Sequence, residues 1–228
     1  MKTELTVNDP VKSFVKNNSQ CAEAFERLSI DFCCGGDTSL LSACEEKDLQ
    51  PNQVYQRLME LPSGLTIGKK DVSDLAPAEL IDHIESTHHV YLKKALPRMV
   101  LLMDKVCQAH SSRHPELIRL KTVLDKLRED LEPHLLKEER VLFPLIRKLK
   151  SNPSDLQMIG IEGPIRVMRY EHDGARDLLK EMKALTNEYV VPKDGCQSFQ
   201  LFYKELRQLE EDTHLHIHKE NNILFPAL

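Results

Sequence analysis

HLLKEERVLFP, residues 134–144, recurs as HIHKENNILFP at residues 216–226. Both stretches read His-x-x-x-Glu-x-x-aliphatic-Leu-Phe-Pro, at an offset of 82 residues (134 to 216). Within each copy His and Glu stand four apart, so on a helix both side chains leave one face, one turn from each other. A single pair of this kind is usually a solvated ion pair. A pair that returns with its flanking sequence needs another account.

A further histidine precedes each pair. His172 lies 44 residues before His216, and His89 lies 45 before His134. That is the length of one helix out, a turn and one helix back. The chain therefore reads as two copies of a helical hairpin. Each copy gives a lone His from its first helix and His-x-x-x-Glu from its second. Brought together about a pseudo-twofold axis, they supply four His and two Glu to a bundle interior.

Six such donors exceed the four of a closed structural zinc site. They divide well between two metals, with two terminal His on each and both Glu bridging. Imidazole with carboxylate and an open position is the pattern of non-haem iron. With a bridging oxide each iron is five-coordinate and accepts a small exogenous ligand. Ferritin-like sites differ, since they use Glu-x-x-His at i, i+3. Burying carboxylates in a bundle is costly unless compensated, and a metal compensates them. One ligand stays open at this level. The spacing fits His88 as well as His89, and helical periodicity from Leu80, Ile84 and Tyr91 points His88 inward.

The rest of the chain frames this centre. Its 228 residues hold only 8 Gly, and apolar residues recur at three- and four-residue spacing, so it reads as all-α. Four long helical segments are expected at about 77–110, with a kink at Pro97, and at 115–149, 161–188 and 195–222, joined as an up-and-down four-helix bundle. The polar loop SNPSD, 151–155, separates the hairpins. Short helices are expected before them: one opening at Asn8-Asp9-Pro10, one at 20–28, one capped by Thr38 or Ser39, and one started by Pro51. Residues 62–76, PSGLTIGKKDVSDLA, have linker composition. The expected division is an N-terminal domain over 1–62, a linker over 63–76 and the bundle over 77–228.

A net charge of −5 argues against a dedicated nucleic-acid binder. No run approaches the roughly 20 apolar residues that span a bilayer. The start MKTELTVNDPVKSF lacks an apolar h-region, so no export is expected. The six cysteines are then expected to be free or functional. The remaining histidines carry weaker signals. His214 and His218 point about 160–200° from the His216/Glu220 face and are expected in solvent. His83, His110 and His114 read as capping, surface or supporting groups, with His110 and Glu171 as candidates for contacts around the ligands. Glu139 and Asn221 fall beside the repeat face and are left out of the ligand set.

These residues carry a resemblance. SIDFCCGGDTSL at 29–40, IDHIESTHHVYLKKALP at 81–97, YEHDGARDLL at 170–179 and the two repeat copies are similar to segments of the iron–sulfur cluster repair di-iron proteins, the Repair of Iron Centres family of the ScdA type. The likeness spans nearly the whole chain: an ScdA-type domain, then a haemerythrin-like bundle. Ser29 stands where the family has glycine. The register selects His89, with His88 falling where the family often has Tyr. The implied ligands are His89, His134, Glu138, His172, His216 and Glu220, holding two non-haem iron ions. The resemblance further implies a cytoplasmic stress-response protein, often a homodimer. It would restore iron–sulfur clusters of proteins damaged by nitric oxide or peroxide, by donating iron. Two other functions stay open: reduction of NO or peroxide at the di-iron site, and O2/NO sensing as a binding module. Cys33 and Cys34 stand outside the ligand set. Their thiols could receive iron, supply electrons or dock a target, or simply pack.

Overall fold

The computed structural model describes residues 5–62, 66–67, 70–149 and 160–228. The expected SNPSD loop and part of the expected linker, residues 63–65 and 68–69, lie outside them. The described residues are almost entirely helical, with one antiparallel pair of two-residue strands, Thr66–Ile67 and Lys70–Asp71. No helix among them is long and apolar enough to cross a membrane. The chain divides into two compact units, Met1–Asp82 with His214–Leu228, and His83–Thr213.

In the first unit, α1 (Val11–Asn17), α2 (Gln20–Arg27), α3 (Leu40–Glu45) and α4 (Pro51–Met59) are short. Their boundaries follow from local chemistry. Ser39 caps α3 by accepting the backbone N–H of Ser42 at 3.1 Å, and Pro51 opens α4, where a missing N–H costs nothing. Helices this short are not stable alone. They are held by a core of Phe14, Phe25, Phe32, Leu40, Cys44 and Leu58, which Ile217 also joins.

The C-terminus of α2 is a Schellman turn. Ile30 N–H donates to Phe25 C=O at 2.9 Å and Ser29 N–H to Glu26 C=O at 3.1 Å. The turn requires a left-handed residue at Ser29, which adopts φ 52°. Ser29 thus takes a conformation that glycine adopts without a side-chain penalty.

In the second unit, α6 (Val90–His110), α7 (Glu116–Lys137) and α9 (Glu162–Leu185) pack side by side, α7 against both others. Each buries a stripe at three- and four-residue spacing: Leu92, Leu96, Met99 and Met103 on α6, and Leu117, Leu120, Leu124, Leu127 and Leu131 on α7. α6 is continuous through Pro97. α9 ends at Leu185, short of the expected 188, because Asn187, Glu188 and Tyr189 all take positive φ. α8 (Phe143–Leu149) extends the line of α7. α10 (Gln197–Lys219) contributes Phe199, Phe202, Leu206 and Leu209 to the core of this unit.

Among the described residues three π-helical turns interrupt the long segments, at Glu85–His89, Glu138–Leu142 and Glu220–Leu224. The first joins α5 (Pro77–Ile84) to α6. The second and third occupy equivalent places in the two repeat copies. A π turn inserts residues against the 3.6 period and is frequent at functional sites.

Candidate metal centre

The candidate histidines extend the apolar stripes. His134 follows Leu127 and Leu131 on α7, and His172 follows Met168 and precedes Ala175 and Leu179 on α9. The same spacing that buries leucine therefore buries imidazole. His89, His134, His172 and His216 are each 1–2% exposed, and Glu138 and Glu220 are fully buried.

Glu138 turns Oε2 toward His89 Nε2 and Oε1 toward His134 Nε2, each at 3.3 Å. His172 and His134 face each other Nε2 to Nε2 at 3.2 Å. His216 Nε2 lies 3.2 Å from Glu220 Oε1. Within the second unit Glu138 thus stands between His89 and His134, with His172 facing His134, and these buried donors form a candidate metal site; in the first unit His216 and Glu220 form the matching pair.

The outer nitrogens fit that chemistry. His134 Nδ1 is 2.8 Å from Glu171 Oε2, and His89 Nδ1 is 2.8 Å from Glu139 Oε1. A carboxylate bonded at Nδ1 places the imidazole proton there and leaves the Nε2 lone pair pointing into the cluster, as metal ligation requires. Lys137 in turn binds Glu171, and Lys93 donates to both oxygens of Glu139 at 2.6 and 2.7 Å. The hydrogen bond from His134, with that from Lys137, overcomes burial and draws the Glu171 carboxyl down to about 2. Burial pushes Glu139 up, but hydrogen bonds from Lys93 and His89 outweigh it and hold the carboxyl below its usual range.

His88 is buried too, but its Nδ1 lies 2.8 Å from Asp212 Oδ1. The π turn Glu85–His89 breaks the straight 3.6 period that had pointed His88 inward, so His88 and His89 are buried toward different partners. Glu139 and Asp212 are the residues sequence reasoning passed over. A signal existed for Glu139: Lys93 stands four residues after His89, ready to hold a shared acid.

His110 is absent from the cluster. It closes α6, 21 residues or about 30 Å of helix after His89, and contacts Cys196 and Phe199. His214 and His218 are not in solvent. His214 pairs with Glu26, and His218 is 2% exposed, with Nδ1 3.3 Å from the Phe32 carbonyl and its ring against the Phe32 ring at 5.7 Å. Burial lowers His218 to about 4. The apolar core formed by the short helices recruits these histidines, which no helical wheel of α10 alone reveals.

The loop of Cys33 and Cys34 is ordered by Asp31, whose Oδ1 accepts both backbone N–H groups at 3.0 Å and the Cys33 thiol at 3.3 Å. The two sulfurs are 3.9 Å apart. Cys33 is buried and Cys34 half-buried. The hydrogen bond to Cys34, together with burial, holds the Cys33 thiol well above its ordinary range. Asn222 Nδ2 donates to the carbonyls of Phe32 and Cys33 at 3.3 and 3.0 Å.

Comparison with known proteins matches this architecture. Residues 80–228 match the family model for the hemerythrin HHE cation binding domain, and residues 7–62 match that of ScdA_N, a domain of unknown function. A probable iron-sulfur cluster repair protein of Haemophilus influenzae is 37% identical over 205 residues, covering 90% of this chain and 89% of the relative. The iron-sulfur cluster repair protein YtfE of Escherichia coli O81 is 32% identical over 219 residues, 96% of each chain. The chain belongs to the iron-sulfur cluster repair family. YtfE of Dickeya chrysanthemi is similar at 34% over 202 residues, 89% of this chain and 88% of its own. Membership covers both segments, the haemerythrin-like bundle and the domain that carries the paired thiols.

Proposed function

We propose that this protein holds two iron ions in a His4Glu2 site and donates iron to iron–sulfur clusters damaged by nitrosative or oxidative stress. The observation that supports it is Glu138, a fully buried carboxylate whose two oxygens turn to two buried histidines, His89 and His134, each at 3.3 Å. The ligands are His89, His134, Glu138, His172, His216 and Glu220, with Glu139 and Glu171 fixing the tautomers of His89 and His134. The relatives are repair proteins by name, which favours a repair and iron-donor role over a turnover enzyme.

The donor set suits release. Neutral imidazoles and carboxylates hold iron less tightly than a thiolate-rich site. Iron here is cargo, and the chain's residues set how readily it leaves. Glu171 and Glu139 each bridge a ligand histidine to a lysine, so protonation or displacement of either acid loosens that histidine. We further propose the division into an N-terminal domain over 1–62, a linker over 63–76 and the bundle over 77–228, in a cytoplasmic protein. On this reading Cys33 and Cys34 act as a thiol pair for iron transfer or redox work. Asn222, two residues beyond Glu220, ties their loop to the segment that carries two ligands.

The test mixes anaerobically iron-loaded protein with an enzyme whose cluster has been damaged by NO. Recovery of enzyme activity with matching iron loss from this protein is the expected result. Steady conversion of NO to N2O with iron retained would instead establish a reductase, and reversible NO or O2 binding alone a sensor.

A further inference from the structure

The end of the second unit, about 30 Å of helix from His89, carries a second group of reactive side chains that the iron centre does not use. Cys196 immediately precedes α10 and is exposed. Its Sγ lies 3.1 Å from Nε2 of His110, which is 5% exposed. Two further contacts hold the imidazole. Phe199 packs edge-on against it with centroids 5.2 Å apart, and Arg113 Nη2 stands 3.5 Å from Nδ1. Arg113 is itself held by Asp194 at 3.0 Å, and the other oxygen of Asp194 lies 3.0 Å from His114 Nε2.

Arginine can only donate, so Nδ1 facing it is the accepting nitrogen and the ring proton sits on Nε2, aimed at sulfur. Sulfur is then the acceptor of that bond. An N–H directed at a cysteine sulfur complements its anionic form, which is the nucleophile. A helix N-terminus beside the sulfur adds partial positive charge. The other cysteines differ: Cys21, Cys33 and Cys44 are buried, and Cys34 and Cys107 half-buried.

We propose that Cys196 and His110 form a peroxide-reactive thiol site, independent of the iron centre. The thiolate sulfur attacks one oxygen of a hydroperoxide. An S–O bond forms, the O–O bond breaks, and hydroxide leaves and takes a proton from solvent. Sulfur is oxidised by two electrons to sulfenic acid and the peroxide is reduced. His110 is the catalytic donor at the sulfur, and Arg113 the positioning residue that sets its tautomer.

The test compares alkylation of Cys196 by iodoacetamide in the native protein and in the urea-unfolded protein at the same pH, read on its peptide by mass spectrometry. Exposure alone makes the native thiol at most as fast as the unfolded one. The dyad makes it faster, by about ten-fold, the room left by the few-per-cent thiolate of an ordinary cysteine at pH 7. A native rate equal to or below the unfolded rate overturns the proposal, whatever the variants do. In the folded His110→Gln protein the advantage should vanish, as should trapping of the peroxide-formed sulfenic acid by a 1,3-diketone. Undiminished rates in that variant also overturn it. Glu138→Ala, which removes an iron ligand, should leave the Cys196 rate unchanged, and a fall there would tie the thiol to the metal and defeat the claim of independence.

Discussion

His134 and His172 point their Nε2 atoms at each other across 3.2 Å, both rings essentially excluded from water. Glu171 fixes the proton of His134 on its far nitrogen, so a lone pair looks into the gap. In a dry interior that lone pair is satisfied either by an Nε2 proton donated from His172 or by a cation taken in its place.

Removing a shared carboxylate should therefore cost both metals together. Glu138→Ala is expected to bring bound iron from about two per chain to nearly none, measured by plasma mass spectrometry, because Glu138 faces both His89 and His134. Retention of full iron would end the dinuclear reading.

Outer acids should tune affinity without abolishing it. Glu139→Gln and Glu171→Gln keep a hydrogen-bond acceptor but lose charge at the ligand histidine, with an expected loss of about 10–100-fold in iron affinity. Competition with a chelator reads this directly. Asp212→Asn, which touches His88 instead, should leave affinity nearly unchanged.

Acid should weaken the metal-free protein through Glu171. Its carboxyl lies at about 2 in the fold against an ordinary 4.5, so the folded state favours the ionised form. The stabilisation is fully present above about 4.5 and is lost as pH falls toward 2. Acid unfolding followed by circular dichroism should be less steep in this window for Glu171→Gln.

The thiol loop should tolerate nothing larger than glycine at position 36. A Cβ there would sit 2.6 Å from the Phe32 carbonyl oxygen and 2.8 Å from Lys12 Cβ. Gly36→Ala is expected to cost about 2–3 kcal/mol in urea unfolding. At Gly35 the closest atom is the end of the Asp31 side chain at 3.0 Å, so Gly35→Ala should cost less.

Ser29→Gly should stabilise. Serine at φ 52° in the Schellman turn carries the left-handed penalty that glycine avoids, about 1 kcal/mol before the unfolded chain's added freedom is subtracted. A small rise in midpoint is expected, and a fall would mean that the serine side chain contributes a bond of its own.

The burial of the repeated His and Glu was legible because a repeat with fixed i, i+4 geometry leaves few ways to place its side chains: the common face of His134/Glu138 and of His216/Glu220 follows from helical spacing alone. All-α character likewise follows from periodicity and scarce glycine. Three things needed the folded chain. The different partners of His88 and His89 came with a π turn at Glu85–His89, and a sequence read at 3.6 residues per turn cannot register an inserted residue. The burial of His218 turned on Phe32, 186 residues away in the chain. The Cys196–His110 contact joins positions 86 residues apart. Local periodicity is a property of neighbouring residues, and the sequence determines it directly. Partners brought from distant segments are chosen by packing the whole core, and only the tertiary structure decides them.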